Sequence, residues 1–306
     1  MKKLLLILLC YFFVLACNNK DHKVQEDAEK YSAKAWEMVE NSDFEKAIYY
    51  FTKAIDLTPE DAYLFRGRAS MRFLKEDLDG ALSDYNKSIE LDNTVSEAYV
   101  NRGLLKKTQG YYKDALTDYN SAIKLDNTDP DIYLKRAIIH NYLEDYSAAI
   151  SDLNRSISLN KINPNAYYLR GNMHAKMTLY EKAIDDYTDA LDLIYSIIPD
   201  KIEHDFSSSD KEGLSEILKD SYQNRASSWN KLEQYERAIS DYEKLLELND
   251  IFKENNAMVY QHLAMCKVNL RDWDGALQDA KKAVKLGNKK ADEAVRIIED
   301  FLNKSK

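Results

Sequence analysis

One arrangement recurs among the residues able to do chemistry. A tyrosine or phenylalanine is followed three residues later by arginine at Phe65/Arg68, Tyr99/Arg102, Tyr133/Arg136, Tyr167/Arg170 and Tyr222/Arg225. A fixed distance beyond each arginine stands an aspartate: Asp84, Asp118, Asp152, Asp186 and Asp241. A row of arginines could bind anions. The matched aspartates favour a structural role, each arginine meeting an aspartate across a contact between helices, in its own segment or the next. His140 and His174 occupy equivalent positions of adjacent segments and invite a metal reading. Equivalent positions on stacked helices lie roughly 8–10 Å apart, too far to share one zinc with bonds of about 2 Å. They are expected to be packing residues, and no metal site is expected. His22, His204 and His262 are dispersed, and the sequence contains no HExxH, GxSxG, Walker loop or CxxC. Neither an enzyme nor a cofactor is expected.

The elements that must position these residues are visible from Pro164 to Leu193. A first run carries Tyr167, Gly171, His174 and Ala175 at helical spacing, and Met177-Thr178-Leu179 interrupts it. A second run follows with Tyr180, Ala183, Ile184, Tyr187, Ala190, Leu191 and Leu193. Two short amphipathic helices cannot bury their apolar faces alone, so neighbouring copies must do it. At a period of about 34 residues, copies start at Ala28, Ala62, Ser96, Pro130 and Pro164, then at Lys219 and Ala257 after insertions. The twentieth place is always alanine: Ala47, Ala81, Ala115, Ala149, Ala183, Ala238 and Ala276. The eighth is always small: Ala35, Ala69, Gly103, Ala137, Gly171, Ala226 and Ala264. A large residue opens each second helix (Phe44, Leu78, Tyr112, Tyr146, Tyr180, Tyr235, Trp273), and leucine closes it (Leu57, Leu91, Leu125, Leu159, Leu193, Leu248, Leu286).

These columns resemble the tetratricopeptide repeat. The resemblance implies an all-α fold, a right-handed superhelical solenoid of about seven helix pairs. Repeats one to five span 28–197, an insertion 198–218, repeat six 219–252, a linker 253–256 and repeat seven 257–290. The segment 291–306 carries Ala291, Ala294, Val295, Ile298, Phe301 and Leu302 on one stripe and is expected to be a capping helix. In the insertion, Pro199 stops a helix, Phe206-Ser-Ser-Ser-Asp reads as an exposed loop, and the apolar residues favour folding against the repeats.

Met1 to Cys17 has two lysines, an apolar core short for a membrane span, and a small residue before cysteine. It resembles the leader of bacterial lipoproteins of the Bacteroidota type, which implies cleavage after Ala16 and lipid on Cys17. Residues 17–27 read as a polar tether. Asn18, rather than aspartate, implies the outer membrane by the same resemblance, and Lys20-Asp21 faintly resembles a surface-export signal. Cys10 falls in the leader and Cys266 stands alone, so no internal disulfide is expected. The net charge is −9, more negative still without Lys2 and Lys3, which argues against a nucleic-acid groove.

By resemblance, the first helices line a concave face through their second, fifth, ninth and twelfth places. The candidate partner-binding residues are Tyr63, Arg66, Phe73, Val100, Leu104, Lys107, Leu134, Ile138, Asn141, Tyr168 and Asn172. No copy combines the lysine at the fifth place with the asparagine at the ninth that the family's carboxylate clamp requires; repeat five has Asn172 at the ninth but Tyr168 at the fifth. The expected function is a lipid-anchored envelope scaffold for a protein or peptide partner gripped by apolar and aromatic side chains. The alternative is a module for envelope glycan or peptidoglycan, with some of the 22 tyrosines as stacking platforms.

Overall fold

The structure is a computed structural model that describes residues 22–198, 212–252 and 255–304. The described residues form fifteen α-helices and no strand. They fall into two compact units, divided between Ile139 and His140. The first holds α1 (22–40), α2 (Phe44–Leu57), α3 (Ala62–Leu74), α4 (Leu78–Leu91), α5 (Ser96–Thr108), α6 (Tyr112–Leu125) and most of α7 (Pro130–Tyr142). The second holds α8 (Tyr146–Leu159), α9 (Pro164–Lys176), α10 (Tyr180–Ile197), α11 (Glu212–Lys231), α12 (Tyr235–Phe252), α13 (Ala257–Asn269), α14 (Trp273–Lys285) and α15 (Ala291–Lys304).

Helices pair because small residues sit where their axes approach. All seven alanines of the twentieth place are 0% exposed, and the alanines and glycines of the eighth place are buried too. The room they leave is filled from the second helices: a Cβ added at Gly171 would lie 2.7 Å from the Tyr187 ring, and one at Gly103 3.2 Å from Tyr119. In the first unit, Phe51, Ile55, Leu64, Phe65 and Met71 form a core between neighbouring pairs. In the second unit, Leu191, Ile194, Leu218, Tyr222, Leu245 and Leu263 do the same. Full burial of each such side chain contributes roughly 1.5–3 kcal/mol. The closing leucines contribute unevenly. Leu248 is fully buried, whereas Leu125 and Leu286 are 43% and 42% exposed, because they lie at helix ends beyond the contact.

One turn geometry is used in all seven copies. The fifteenth residue adopts positive φ at Ser42, Glu76, Gly110, Glu144, Thr178, Glu233 and Arg271, and only one of these is glycine. The next amide reaches back to close the helix, as in Leu179 N–H to His174 O at 2.9 Å and Asp77 N–H to Arg72 O at 2.9 Å. Asp43, Asp77, Asp145 and Asp272 then cap the following helices by accepting from backbone amides. A β-branched residue in the left-handed region is strained. Thr178→Gly is therefore expected to stabilise the protein by about 0.5–1 kcal/mol, read as a higher urea midpoint; a lower midpoint would contradict this account of the turn.

Two boundaries move. Residues 22–27, read as the end of a tether, already belong to α1, since His22-Lys-Val-Gln-Glu-Asp continues in phase into the first repeat. Residues 212–218, read as insertion, are the opening turns of the 20-residue α11, and Leu218 is 0% exposed against Ile194 and Ile198. The remainder of the insertion reading, including Phe206, lies outside the described residues. At the far end α15 packs Val295, Ile298 and Leu302 onto Ala264, Ala276 and Trp273, as a capping helix should. Phe301 is half on the surface at 45% exposure, its ring 4.1 Å from Trp273.

Candidate functional site

The arginine series is structural. Arg68, Arg102, Arg170 and Arg225 each donate through Nε and Nη2 to the aspartate of their own repeat, at 2.8 and 2.8 Å, 3.0 and 2.6 Å, 2.9 and 2.6 Å, and 2.9 and 2.7 Å. These contacts have charge-assisted strength because the planar fork matches a carboxylate. The third nitrogen reaches the preceding second helix. Nη1 donates to Thr52 from Arg68, Asn86 from Arg102, Asn120 from Arg136, Asn154 from Arg170 and Thr188 from Arg225, all within 3.0 Å. Each guanidinium of Arg68, Arg102, Arg170 and Arg225 thus joins three helices. These four and Arg136 also lie 5.4–5.8 Å from the centroid of the aromatic ring three residues earlier.

A second cation column escaped the sequence reading. Arg72, Lys106 and Lys267, four residues beyond the main position, contact Asp84, Asp118 and Asp279 at 2.8, 2.8 and 2.6 Å. His140 and His174 stand in that column. His174 Nδ1 is 2.7 Å from Asp186 Oδ2, and His140 Nε2 is 3.8 Å from Asp152 Oδ2. His174 is thus a polar partner of a buried carboxylate rather than a packing residue, while His140 stays outside hydrogen-bond distance. The signal was present as Arg72, Lys106, His140, His174 and Lys267 at one place, each able to donate. Among the described residues no group of three or more His, Cys, Asp or Glu is arranged to hold a metal ion.

The predicted binding residues divide by environment. In the first unit, Tyr63 is 45% exposed, with Arg66 over its ring at 5.3 Å and Trp36 against it at 5.8 Å. Arg66 Nε lies 3.3 Å from Glu97 Oε2 of the following repeat. Trp36, Tyr63, Arg66 and Glu97 therefore run across three successive first helices. Trp36 was not among the predicted residues, although it holds the ninth place of the first repeat, and its buried Nε1 has no protein acceptor. Val100, Leu104, Lys107 and Ile138 are half-buried. Phe73 is half-buried too and packs on Ala69, Ala81 and Leu105, while Leu134 is drawn into the core at only 9% exposure.

In the second unit, Asn141 and Asn172 line a cavity of about 430 Å³ with Tyr187, Asn224 and Lys231. Asn172 Oδ1 accepts from Tyr187 Oη at 2.8 Å and Asn224 Nδ2 at 3.0 Å, which holds it in the framework. Tyr168 donates to Asp220 at 2.9 Å, and burial with that acidic neighbourhood pushes its phenol up to about 12. The ninth place thus serves the tyrosine of the twenty-fourth, as Ser70 does for Tyr85 at 3.1 Å. Repeat three breaks the rule. Leu104 offers nothing to Tyr119, whose buried hydroxyl has no protein partner. Tyr119→Phe is expected to be neutral or stabilising, while Tyr187→Phe costs about 1 kcal/mol; thermal melts giving the reverse order would refute the pairing.

Cys266 is a buried free thiol, pushed up to about 11 by burial, as a core residue would be. Cys17 lies outside the described residues. No helix among the described residues is long and apolar enough to cross a membrane.

Comparison with known proteins agrees with this architecture. Models described as tetratricopeptide repeat match residues 32–95, 130–163, 164–196 and 220–251, and one described as TPR repeat matches 107–141. The chain carries tetratricopeptide repeats over more than half its length. No curated protein matches it in sequence. Among solved structures it is similar to the C-terminal part of a TPR repeat-containing protein from Cytophaga hutchinsonii, at 20% identity and TM-score 0.69, covering 85% of this chain and 98% of that one. A tetratricopeptide repeat protein from Parabacteroides merdae matches at 19% identity and TM-score 0.58, covering 90% and 99%. YrrB, described as a TPR protein with an unusual peptide-binding site, matches at 22% identity and TM-score 0.53, covering 65% and 92%. At these identities the likeness shows the fold: all-helical tetratricopeptide pairs.

Proposed function

We propose that this protein is a non-catalytic scaffold of the cell envelope, anchored by lipid on Cys17, that holds a protein or peptide partner on its first-helix face. The carrying observation is the run Trp36, Tyr63, Arg66 and Glu97, where aromatic surface and charge cross three repeats without being consumed by the arginine–aspartate framework. Aromatic rings beside a guanidinium are what a binding hot spot uses. YrrB, whose description names a peptide-binding site, shares the fold. Anchoring rests on the Met1–Cys17 pattern, and its effect would be to raise the local concentration of whatever the face holds. The glycan alternative draws less support, because the exposed tyrosines Tyr49, Tyr63, Tyr111 and Tyr142 sit on different elements rather than in one row.

Two experiments bear on this. Incorporation of labelled palmitate should be lost in Cys17→Ala; label retained in that variant removes the anchor. A pull-down from detergent-solubilised envelopes should recover a discrete protein with the parent chain and lose it with Tyr63→Ala/Arg66→Glu. Equal recovery by both chains would place binding elsewhere.

A further inference from the structure

Helix α15 is apolar on two sides. Ala291, Val295, Ile298 and Leu302 face inward, yet Ile297 is 61% exposed and Phe301 45% exposed. Met265 of α13, 49% exposed, joins Ala294 and Ile297 along an apolar groove of about 410 Å³ between the two helices. A helix that only closed a stack would carry charge or small polar groups there.

The charges around this stripe have a definite order. At 3.6 residues per turn, Glu293, Ile297, Asp300, Phe301 and Lys304 fall within an arc of about 100°. Glu293, Arg296, Asp300 and Lys304 are all exposed. Turning a second α15 antiparallel about the middle of the stripe sets Glu293 against Lys304, Arg296 against Asp300, and Ile297 against Phe301. A parallel arrangement sets Glu293 against Glu293 and Asp300 against Asp300, which repels. The stripe is therefore self-complementary in the antiparallel sense that a two-fold axis perpendicular to the helix produces.

We infer that this face binds a second copy of the chain, α15 against α15 in antiparallel register, with Met265 at the margin. The inference stands apart from the partner proposed for the first-helix run around Tyr63. A single helix pair buries less than the roughly 800 Å² per partner of a standard interface, so the dimer is weak, with a dissociation constant on the order of tens of micromolar.

Sedimentation equilibrium on the full chain, over loading concentrations from about 5 to about 500 μM, tests it. Ile297→Glu should raise the dissociation constant at least about tenfold with an unchanged melting temperature. Glu293→Lys and Lys304→Glu should each weaken the dimer, and the two together should restore it. A parent chain that stays monomeric throughout leaves the stripe to another protein and overturns the inference. A dimer insensitive to Ile297→Glu, or charge reversals that fail to rescue each other, overturns it as well.

Discussion

Arg225→Ala is expected to destabilise the protein by about 3–5 kcal/mol, seen as a large fall in the urea midpoint. Asp241, whose side chain is 8% exposed, receives both of its charge-assisted hydrogen bonds from this one guanidinium. Alanine leaves the carboxylate buried without its cation and also releases Thr188, which Nη1 ties to the same point. The arrangement predicts a graded series. In the third repeat Lys106 stays 2.8 Å from Asp118 after Arg102 is removed, so Arg102→Ala should cost less, about 1.5–3 kcal/mol. Equal losses at the two sites would mean that the second cation column contributes nothing. No loss at Arg225 would reopen the anion-binding reading of the series.

The second large effect is expected at Phe51. Its ring is 0% exposed, meets Trp36 edge-on at 5.3 Å, and fills the space opened by Gly67. Phe51→Ala should cost about 3–5 kcal/mol through lost contact and the cavity left behind. The two positions should be coupled. A Cβ at Gly67 would lie 2.7 Å from two atoms of the ring, so Gly67→Ala alone forces a shift costing about 1–3 kcal/mol. Removing the ring by Phe51→Leu should relieve that cost, giving a coupling above about 1 kcal/mol. Additive losses in the double variant would show that the helices separate to accept the methyl group.

These two sites also show what could be read before any coordinates. The alanines of the twentieth place and the small residues of the eighth were legible because close approach of two helices admits few side chains, so the constraint recurs every repeat. The pairing of arginine with aspartate was legible for the same reason: two matched columns imply a common contact. The branching of that contact was not. Which side chain donates to a shared carboxylate depends on reach, and Arg72, Lys106 and His174 satisfy it with different lengths. The turn residue escaped too, because helix closure imposes positive φ at Glu76 and Thr178 regardless of their preference.

The binding face was legible only in outline. Counting places selected Tyr63, which lies at the surface, and equally Arg66 and Phe73, which are half-buried, and Leu134, which packing draws inward. Asn172 was selected by its place alone, and its side chain is spent on Tyr187 and Asn224. Periodicity assigns a residue to a side of its helix. How far the neighbouring helix covers that side depends on the size of the residues between them.

Photocrosslinking in cells, with a photoreactive residue at Tyr63, tests the binding face most directly. Tyr49, more exposed at 56% but carried on the second helix α2, provides the control. A discrete protein adduct from position 63 and none from position 49 is the predicted result. Adducts from position 49 alone, or the same adducts from both, would contradict a partner held by the first helices.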